Sequence, residues 1–361
     1  MKICYLGDAN SIHTKKLCNF FREKGYDISV ISLNDGEIDG VEVYSMSMKI
    51  ESGNSSFSKI RYLKNILKVK KIIRDINPDI LHAHYATSYG LIGSLINYKP
   101  YIISVWGSDV YDFPNRSIIH KFILEYNLRK ADKILSTSKA MAVETNKYSN
   151  KDILVTPFGV DIEKFSPNKY KSKEEKNEFV IGTIKTLEDI YGIDILIRAF
   201  KIVKDRNNIN IRLKIAGRGS KERHLKNLTK ELEIDKYVDF LGYINQNQVA
   251  EEFRNFDIAI FPSFFESFGV AAVEAQACGT VVIVSDINGL MEATLPKQTS
   301  LIFEKGNYND LADKIEFILK NDEMRNEMSL NARKYVKENY NIIDNFNNID
   351  KVYIDLLKNI K

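Results

Sequence analysis

Two carboxylates separated by seven residues stand in one short segment, residues 258–279. An apolar strand is broken at Pro262, and a short loop carrying Glu266 then enters a helix of small apolar residues. Glu274 falls in the second turn of that helix, where burying a carboxylate is costly unless it is paired or binds a ligand. The start of such a helix presents free N–H groups and a partial positive charge. The segment therefore predicts an anion site, most often one for phosphate.

We expect the backbone N–H groups of Phe268, Gly269 and Val270 to hold a diphosphate, because they lie at the start of this helix. Glu274, one turn deeper, can accept two hydrogen bonds from a ribose diol. Glu266 would project towards whatever lies beyond the phosphates. The alternative is structural, with Glu266 as a charge at a helix N-terminus and Glu274 as a satisfied buried acid.

Short apolar strands alternate with amphipathic helices through both halves of the 361-residue chain. The alternation predicts two α/β domains with doubly wound parallel sheets, facing each other across a cleft where ligands bind at the C-terminal strand ends. We expect a first domain over 1–167, a polar linker over 168–178, a second domain over 179–340, and a C-terminal helix, 341–361, packing back on the first domain. Strands are predicted at 2–6, 28–32, 79–82, 101–105, 133–136, 153–156, 179–184, 211–216, 238–241, 258–261, 281–285 and 301–303.

Composition and charge exclude several classes of protein. Hydrophobic content of 44% and charged content of 28% are those of a soluble globular protein. Residues 1–170 carry 24 Lys and Arg against 18 Asp and Glu, a net +6, which suits a phosphorylated substrate or an anionic membrane but is too weak to indicate nucleic acid. The N-terminus lacks a signal-peptide pattern, and no apolar run of about 18 residues occurs. We expect a cytoplasmic protein.

One predicted helix, residues 59–77, is unusually basic. One face carries roughly the apolar side chains Ile60, Leu63, Leu67, Ile73 and Ile76. Seven cations flank or oppose this face: Lys59, Arg61, Lys64, Lys68, Lys70, Lys71 and Arg74. Ordinary amphipathicity makes it a core-facing helix with a solvated basic face. The alternative is contact with anionic lipid headgroups, worth about 1 kcal/mol per well-placed cation, which would place the protein peripherally on the inner face of the cytoplasmic membrane.

The front half carries polar groups where predicted strands end. The first strand ends at Gly7, in a turn where the backbone must pass close to something above the sheet, and the turn is not a G-x-G-x-x-G. His82 and His84 stand at the end of the third strand. We expect them on opposite faces of the sheet, with His84 as the candidate for the site because it lies nearer the strand's C-terminal end.

The segment P-S-F-F-E-S-F-G-V-A-A-V-E-A-Q-A-C-G resembles the E-x7-E signature of the retaining glycosyltransferases of the GT-B fold, family 4. Further blocks resemble the same family in its order, among them T-P-F-G-V-D-I-E-K-F-S-P, I-A-G-R-G-S and V-D-F-L-G-Y-I. The front-half runs S-V-W-G-S-D-V-Y-D-F-P and S-Y-G-L-I-G are similar to bacterial members that act on surface-polysaccharide or lipid-linked oligosaccharide acceptors. The resemblance implies two Rossmann-like domains.

The resemblance implies a role for each matching residue of the second domain. Glu274 would bind the donor ribose, the N–H groups of 268–270 the diphosphate, and Glu266 the hydroxyls of the transferred sugar. The family's basic pair, which neutralises the leaving diphosphate, matches Lys185 and Tyr191, so one of the two charges is missing. Arg218 either restores that charge or is a surface turn residue. The nucleobase would lie against Tyr243 and Ile244.

In the first domain the resemblance is less complete. Gly7 would approach the donor. Trp106 stands where many family members have a histidine, which leaves Asp109 to orient the acceptor hydroxyl or contact the sugar. The alternative for Asp109 is a capping role. Asp109, Trp106 and His84 form the predicted acceptor side.

The predicted function is that of a retaining glycosyltransferase, which moves a sugar from a nucleotide-diphosphate sugar to a saccharide or lipid-linked saccharide acceptor in cell-surface polysaccharide biosynthesis. The donor is a co-substrate and no cofactor is expected. Neither a D-x-D nor a His/Cys cluster occurs, so we expect no metal. One alternative is a non-catalytic nucleotide-sugar binding protein, which Trp106 and Tyr191 keep open. The other is a sugar-nucleotide epimerase on the same fold, which should carry extra acids and histidines in the cleft.

Overall fold

The computed structural model describes residues 1–46, 56–168, 178–207 and 209–358, with the backbone alone for 56–65. The chain forms two compact units, one comprising Met1–Phe158 with Ile343–Lys361 and the other Gly159–Ile342. Apart from its two end residues, the predicted linker 168–178 lies outside the described residues.

The elements alternate as the sequence pattern predicts. The strands are β1 (Lys2–Leu6), β2 (Asp27–Ser32), β3 (Glu42–Ser45), β4 (Ile80–His84), β5 (Tyr101–Val105), β6 (Lys133–Ser136), β7 (Ile153–Val155), β8 (Phe179–Ile184), β9 (Ile211–Ala216), β10 (Val238–Gly242), β11 (Ile258–Phe261), β12 (Val281–Ser285) and β13 (Ser300–Phe303). The helices are α1 (Ile12–Glu23), α2 (Ser56–Ile76), α3 (Ser88–Ile96), α4 (Ser108–Tyr111), α5 (Ile118–Lys130), α6 (Lys139–Thr145), α7 (Ile193–Arg206), α8 (Glu222–Glu231), α9 (Gln246–Asn255), α10 (Val270–Ala277), α11 (Asn288–Ala293), α12 (Tyr308–Lys320), α13 (Asp322–Asn339) and α14 (Ile342–Lys358).

The first unit is built on a seven-stranded parallel sheet in the order β3-β2-β1-β4-β5-β6-β7. Every residue of β4 and β5 is buried, as expected for strands covered by helices on both faces. The order reverses between β1 and β4, and ligands of doubly wound sheets bind at the strand ends beside such a reversal.

The second unit has a six-stranded parallel sheet in the order β10-β9-β8-β11-β12-β13. Its order reverses between β8 and β11, so the loops that follow these two strands diverge at one point of the carboxyl edge. The predicted fold class, two doubly wound parallel-sheet α/β domains, is confirmed.

The C-terminal helix α14 packs on the first unit. The hydroxyl of the fully buried Tyr353 lies 2.6 Å from Nδ1 of His82 and 3.2 Å from the hydroxyl of Tyr5. Lys24 Nζ lies 2.6 Å from a carboxylate oxygen of Asp350, at the edge of the same contact. These polar contacts explain why a helix from the end of the chain belongs to the first unit.

The boundary between the units falls after Phe158, earlier than the predicted residue 167. The N–H of Val160 donates to the carbonyl of Tyr340 at 2.7 Å, and the N–H of Ile342 donates to the carbonyl of Val160 at 3.1 Å. Because these backbone bonds tie 160 to the end of α13, the segment after Phe158 belongs to the second unit.

The predicted basic helix corresponds to α2. Lys59, Arg61 and Lys64 lie outside the residues whose side chains are described, whereas Lys68, Lys70, Lys71 and Arg74 are exposed. Val69 and Ile73 are buried, but Leu67, which was predicted on the apolar face, is 72% exposed because the buried stripe runs through 69 and 73 instead. Within the described chain, no helix is both long enough and apolar enough to cross a bilayer.

Candidate functional site

Lys185 and Glu266 form an ion pair at the carboxyl edge of the second sheet. Lys185 follows β8 and Glu266 lies in the loop after β11, so the reversal of strand order brings them together. The ammonium contacts Oε1 of Glu266 directly, and the two side chains are only 14% and 11% exposed. Ser263 Oγ donates to the same carboxylate at 3.3 Å. Sequence reasoning named both residues but did not pair them, because residues 81 positions apart meet only through the topology of the sheet.

Tyr191, at the position where the family carries a second cation, lies under the first one. The ammonium of Lys185 is 4.6 Å from the centre of the Tyr191 ring, within cation–π distance. The ring therefore adds an attractive contact that holds Lys185 in place, whereas a second cation there would repel it.

The loops around this pair are packed backbone against backbone. Gly217 has φ = +133°, and a Cβ at this position would overlap the carbonyl oxygen of Lys185. A Cβ on Gly289, at the start of α11, would likewise overlap the carbonyl oxygen of Glu266. Both glycines are required because no side chain fits between the loops. The close packing fixes the backbone positions from which the side chains of Lys185 and Glu266 extend.

The start of α10 is open to an anion. Gly269 precedes the helix in the left-handed conformation, with φ = 91°. In the described part of the chain, no hydrogen bond is made by the N–H of Gly269 or Val270. Phe268 is 2% exposed and packs edge-on against Tyr340, so it anchors the helix start. Glu274 is 6% exposed on the second turn, as predicted for a buried carboxylate.

The remaining predicted donor residues follow the neighbouring strands β9 and β10. Arg218 is exposed, and its Nε lies 3.9 Å from the point that a Cβ on Gly242 would occupy. Tyr243 is 72% exposed, whereas Ile244 packs partly against the core. The structure thus brings Arg218 beside the 242–244 segment, with the ring of Tyr243 free to contact a planar group.

In the first unit, His84 and Gly7 lie at the reversal between β1 and β4. A Cβ on Gly7 would stand 2.8 Å from Nδ1 of His84, so only glycine leaves room for the imidazole. Nδ1 of His84 is 3.2 Å from Oγ1 of Thr14, and the ring stacks on Trp106 with centroids 4.5 Å apart. Burial, aided by His82 and His13, holds the pKa of His84 well below its usual value. Gly7, predicted as a donor contact, therefore shapes the pocket around a neutral histidine.

The prediction that His82 and His84 lie on opposite faces is wrong. Residues two apart in a strand point to the same side of the sheet, and the two ring centroids are 5.1 Å apart. Both ring nitrogens of His82 are hydrogen-bonded: Nδ1 lies 2.6 Å from the Tyr353 hydroxyl, and Nε2 lies 2.7 Å from Ser104 Oγ. Burial lowers its pKa to about 3. His82 is thus a structural residue that supports the layer beneath His84.

Asp109 lies in the first turn of α4, and backbone N–H groups occupy its buried carboxylate, which favours a structural role over the predicted contact with the sugar or acceptor. Its carboxylate is 1% exposed and accepts hydrogen bonds from the backbone N–H groups of Ala86 at 2.8 Å, Gly107 at 2.8 Å and Trp106 at 3.2 Å. Burial raises its pKa, and these backbone bonds partly offset that effect. Asp109 therefore joins the loops after β4 and β5 and fixes Trp106. No group of three potential metal-binding side chains lies together among the described residues.

Two doubly wound parallel sheets, one with a charged pair beside an open helix start, define a two-domain protein of the GT-B class. Residues 2–138 match the family described as glycosyl transferase 4-like, and residues 164–335 match glycosyl transferases group 1. Both models describe glycosyltransferases and together they match most of the chain, so the chain belongs to the glycosyltransferases.

Relatives agree with this assignment. An uncharacterized glycosyltransferase of Methanocaldococcus jannaschii is 29% identical over 286 residues, 78% of this chain and 77% of that protein. The capsular polysaccharide biosynthesis glycosyltransferase CapM of Staphylococcus aureus is 26% identical, covering 94% of this chain and 92% of its own. The solved structure of Anabaena HepE in complex with UDP superposes with a TM-score of 0.79 at 18% identity, covering 98% of this chain and 100% of that chain. HepE has also been solved with UDP-glucose.

Proposed function

We propose that this glycosyltransferase is a retaining enzyme that transfers a sugar from a nucleotide-diphosphate sugar to a saccharide or lipid-linked saccharide in cell-surface polysaccharide biosynthesis. The observation that carries the proposal is the Lys185–Glu266 pair beside the open start of α10, with Glu274 one turn deeper. The complexes of HepE with UDP and UDP-glucose support the donor class, and the name of CapM supports the polysaccharide role.

In this proposal the leaving diphosphate binds where charge can be stabilised. The N–H groups of Gly269 and Val270, the helix dipole and Lys185 all stabilise the negative charge that develops as the bond between the sugar and the phosphate breaks. When the diphosphate binds, it competes with Glu266 for the ammonium of Lys185. A carboxylate oxygen of Glu266 that is released from Lys185 can then accept a hydrogen bond from a sugar hydroxyl. Glu274 accepts from the ribose diol.

Retention follows, in the proposal, from attack on the face that the diphosphate leaves. The acceptor oxygen bonds to the anomeric carbon as the phosphate oxygen departs, and the acceptor proton passes to that phosphate oxygen. No protein nucleophile is needed, and neither a metal nor a cofactor takes part.

We also propose that the exposed cations of α2 hold the protein at the anionic cytoplasmic face of the membrane.

A donor panel tests the proposal. The protein is incubated with UDP-, GDP- and ADP-sugars and a range of saccharide acceptors, with and without EDTA. Nucleotide release is measured, and the anomeric configuration of the product is read from its ¹H NMR coupling. We expect turnover with one nucleotide class, EDTA resistance and retained configuration. An inverted product would refute the mechanism, and tight nucleotide-sugar binding without turnover on any acceptor would identify a non-catalytic binder.

A further inference from the structure

The first unit contains a cavity of about 440 Å³ above the reversal between β1 and β4. This volume lies within the range of small-molecule sites in proteins. Its walls combine aromatic rings with small hydroxyl groups: Trp106, Tyr85, Tyr89, His84, Ser88 and Ser108. Rings and hydroxyls together match a pyranose, which presents apolar C–H faces and a rim of hydroxyls.

The charge of the cavity is unusual for a protein whose front half is basic. No lysine or arginine is among the described residues that line it, and Asp8 is the one acidic side chain among them. Asp8 is held in place, since Oδ1 accepts the N–H of Asn10 at 3.0 Å and Oδ2 accepts from Nδ2 of Asn34 at 3.3 Å. Helices α1 and α3 start beside the cavity, and the carboxylate offsets their partial positive charge. An anionic ligand would therefore meet a carboxylate with no opposing cation.

The aromatic wall is held rigidly. The Trp106 ring stacks on His84 at 4.5 Å and meets Tyr85 and Phe158 at 5.4 and 5.1 Å. Tyr85 has φ = 72°, a conformation that costs energy for a non-glycine residue and persists where the surroundings enforce it. The buried Nε2 of the neutral His84, beside this wall, has no hydrogen-bond partner in the described part of the chain. Such an unsatisfied atom is costly unless a ligand approaches it.

We propose that this cavity selects an uncharged sugar ring as the acceptor and rejects phosphorylated or carboxylated sugars, an inference that rests on the proposed transfer reaction. The sugar packs against Trp106, and Asp8 accepts hydrogen bonds from its hydroxyls, as carboxylates do strongly. A phosphate or carboxylate on the ring would be repelled by Asp8. The basic bias of the first domain belongs to the outer surface, including α2, and not to this cavity.

The chain contains one tryptophan, and it lines the cavity, so binding can be observed without donor or turnover. The full chain is titrated with methyl glycosides of glucose, galactose and N-acetylglucosamine, with excitation at the red edge where tyrosine does not absorb. Glucose 6-phosphate and glucuronic acid serve as charged counterparts at matched ionic strength. We expect a saturable change in Trp106 emission with at least one neutral glycoside and at least about tenfold weaker binding of the charged sugars, the factor set by one charge-assisted contact.

Two variants sharpen the test. Asp8→Asn should weaken binding of the neutral glycoside about tenfold. It should also reduce the difference in affinity between the neutral glycoside and glucose 6-phosphate. Asp112→Asn removes the same charge from an exposed position outside the cavity and should change neither. Charged sugars that bind as tightly as neutral ones, or no response to any neutral glycoside, would overturn the proposal. Nucleotide binding, measured separately by calorimetry, reports on the proposed function, so the two failures are distinguishable.

Discussion

At the scale of single residues, the proposed transfer depends most on Lys185. It is the cation that contacts Glu266 and lies over the Tyr191 ring, so it is already fixed before a donor arrives. Lys185→Ala should lower kcat about 100-fold, by analogy with the loss of one donor to an oxyanion. Lys214→Ala breaks a comparable half-buried pair with Glu252 in the same unit and serves as the control. Equal kcat values for the two variants would contradict the assigned role.

Glu266 should affect turnover more than donor binding. Glu266→Gln keeps the size of the side chain but releases Lys185 and weakens contacts to the sugar hydroxyls. We expect kcat to fall by at least about tenfold, the loss of one charge-assisted contact, while the Kd for the nucleotide diphosphate changes little. Glu252→Gln is the matched control. If Glu266→Gln raised the Kd for the nucleotide diphosphate and left kcat unchanged, Glu266 would contact the nucleotide and not the sugar.

The sequence predicted which residue types matter better than it predicted their contacts. Glu274 is buried on α10 as expected, because its position within the helix is a local property. Asp109 is different: its partners Ala86 and Trp106 come from two separate loops, and only the folded chain shows that they consume its carboxylate. The pairing of Lys185 with Glu266 likewise depends on the order of strands.

At the scale of elements, α14 connects the end of the chain to the sheet beneath the cavity. Tyr353→Phe removes the hydroxyl that His82 and Tyr5 share, and leaves Nδ1 of His82 buried without a partner. We expect a loss of about 1–3 kcal/mol in the free energy of unfolding, measured by urea denaturation. Tyr308→Phe, at a residue that is 38% exposed, should have almost no effect. Similar losses in both variants would show that the buried network does not stabilise the first unit.

Most strands could be predicted closely because buried parallel strands read as short apolar runs. The bounds of β1, β5, β6, β8, β9, β11 and β12 agree with the prediction to the residue. Strand β3 was missed because it is a short edge strand of four residues, three of them only partly buried, so hydrophobicity gives it little signal.

At the scale of the whole molecule, the buried histidines link stability to pH. The pKa of His82 is lowered to about 3 and that of His13 to about 4, and that of His84 is also lowered, all chiefly by burial. The unfolded chain binds protons below about pH 6.5 that the folded chain does not, so stability is full above that pH and falls as pH decreases towards the folded values.

His82 alone should cost about 2 kcal/mol of unfolding free energy at pH 5 relative to pH 7. The raised pKa of Asp109 acts in the opposite sense and offsets part of the loss. Urea denaturation across pH 5–8 measures the slope of stability against pH. A stability that stays constant or rises on acidification would contradict the burial of neutral histidines.

The central claim is that the open start of α10 and Glu274 bind the nucleotide diphosphate of the donor. Isothermal titration of UDP, GDP and ADP into the wild-type chain and into Glu274→Gln tests it most directly, with Glu252→Gln as the control. We expect one nucleotide to bind the wild type and the control equally, and Glu274→Gln to bind it at least about tenfold more weakly, since a carboxylate accepts the ribose hydroxyls more strongly than an amide does. Unchanged affinity in Glu274→Gln, or no binding of any nucleotide to the wild type, would contradict the account.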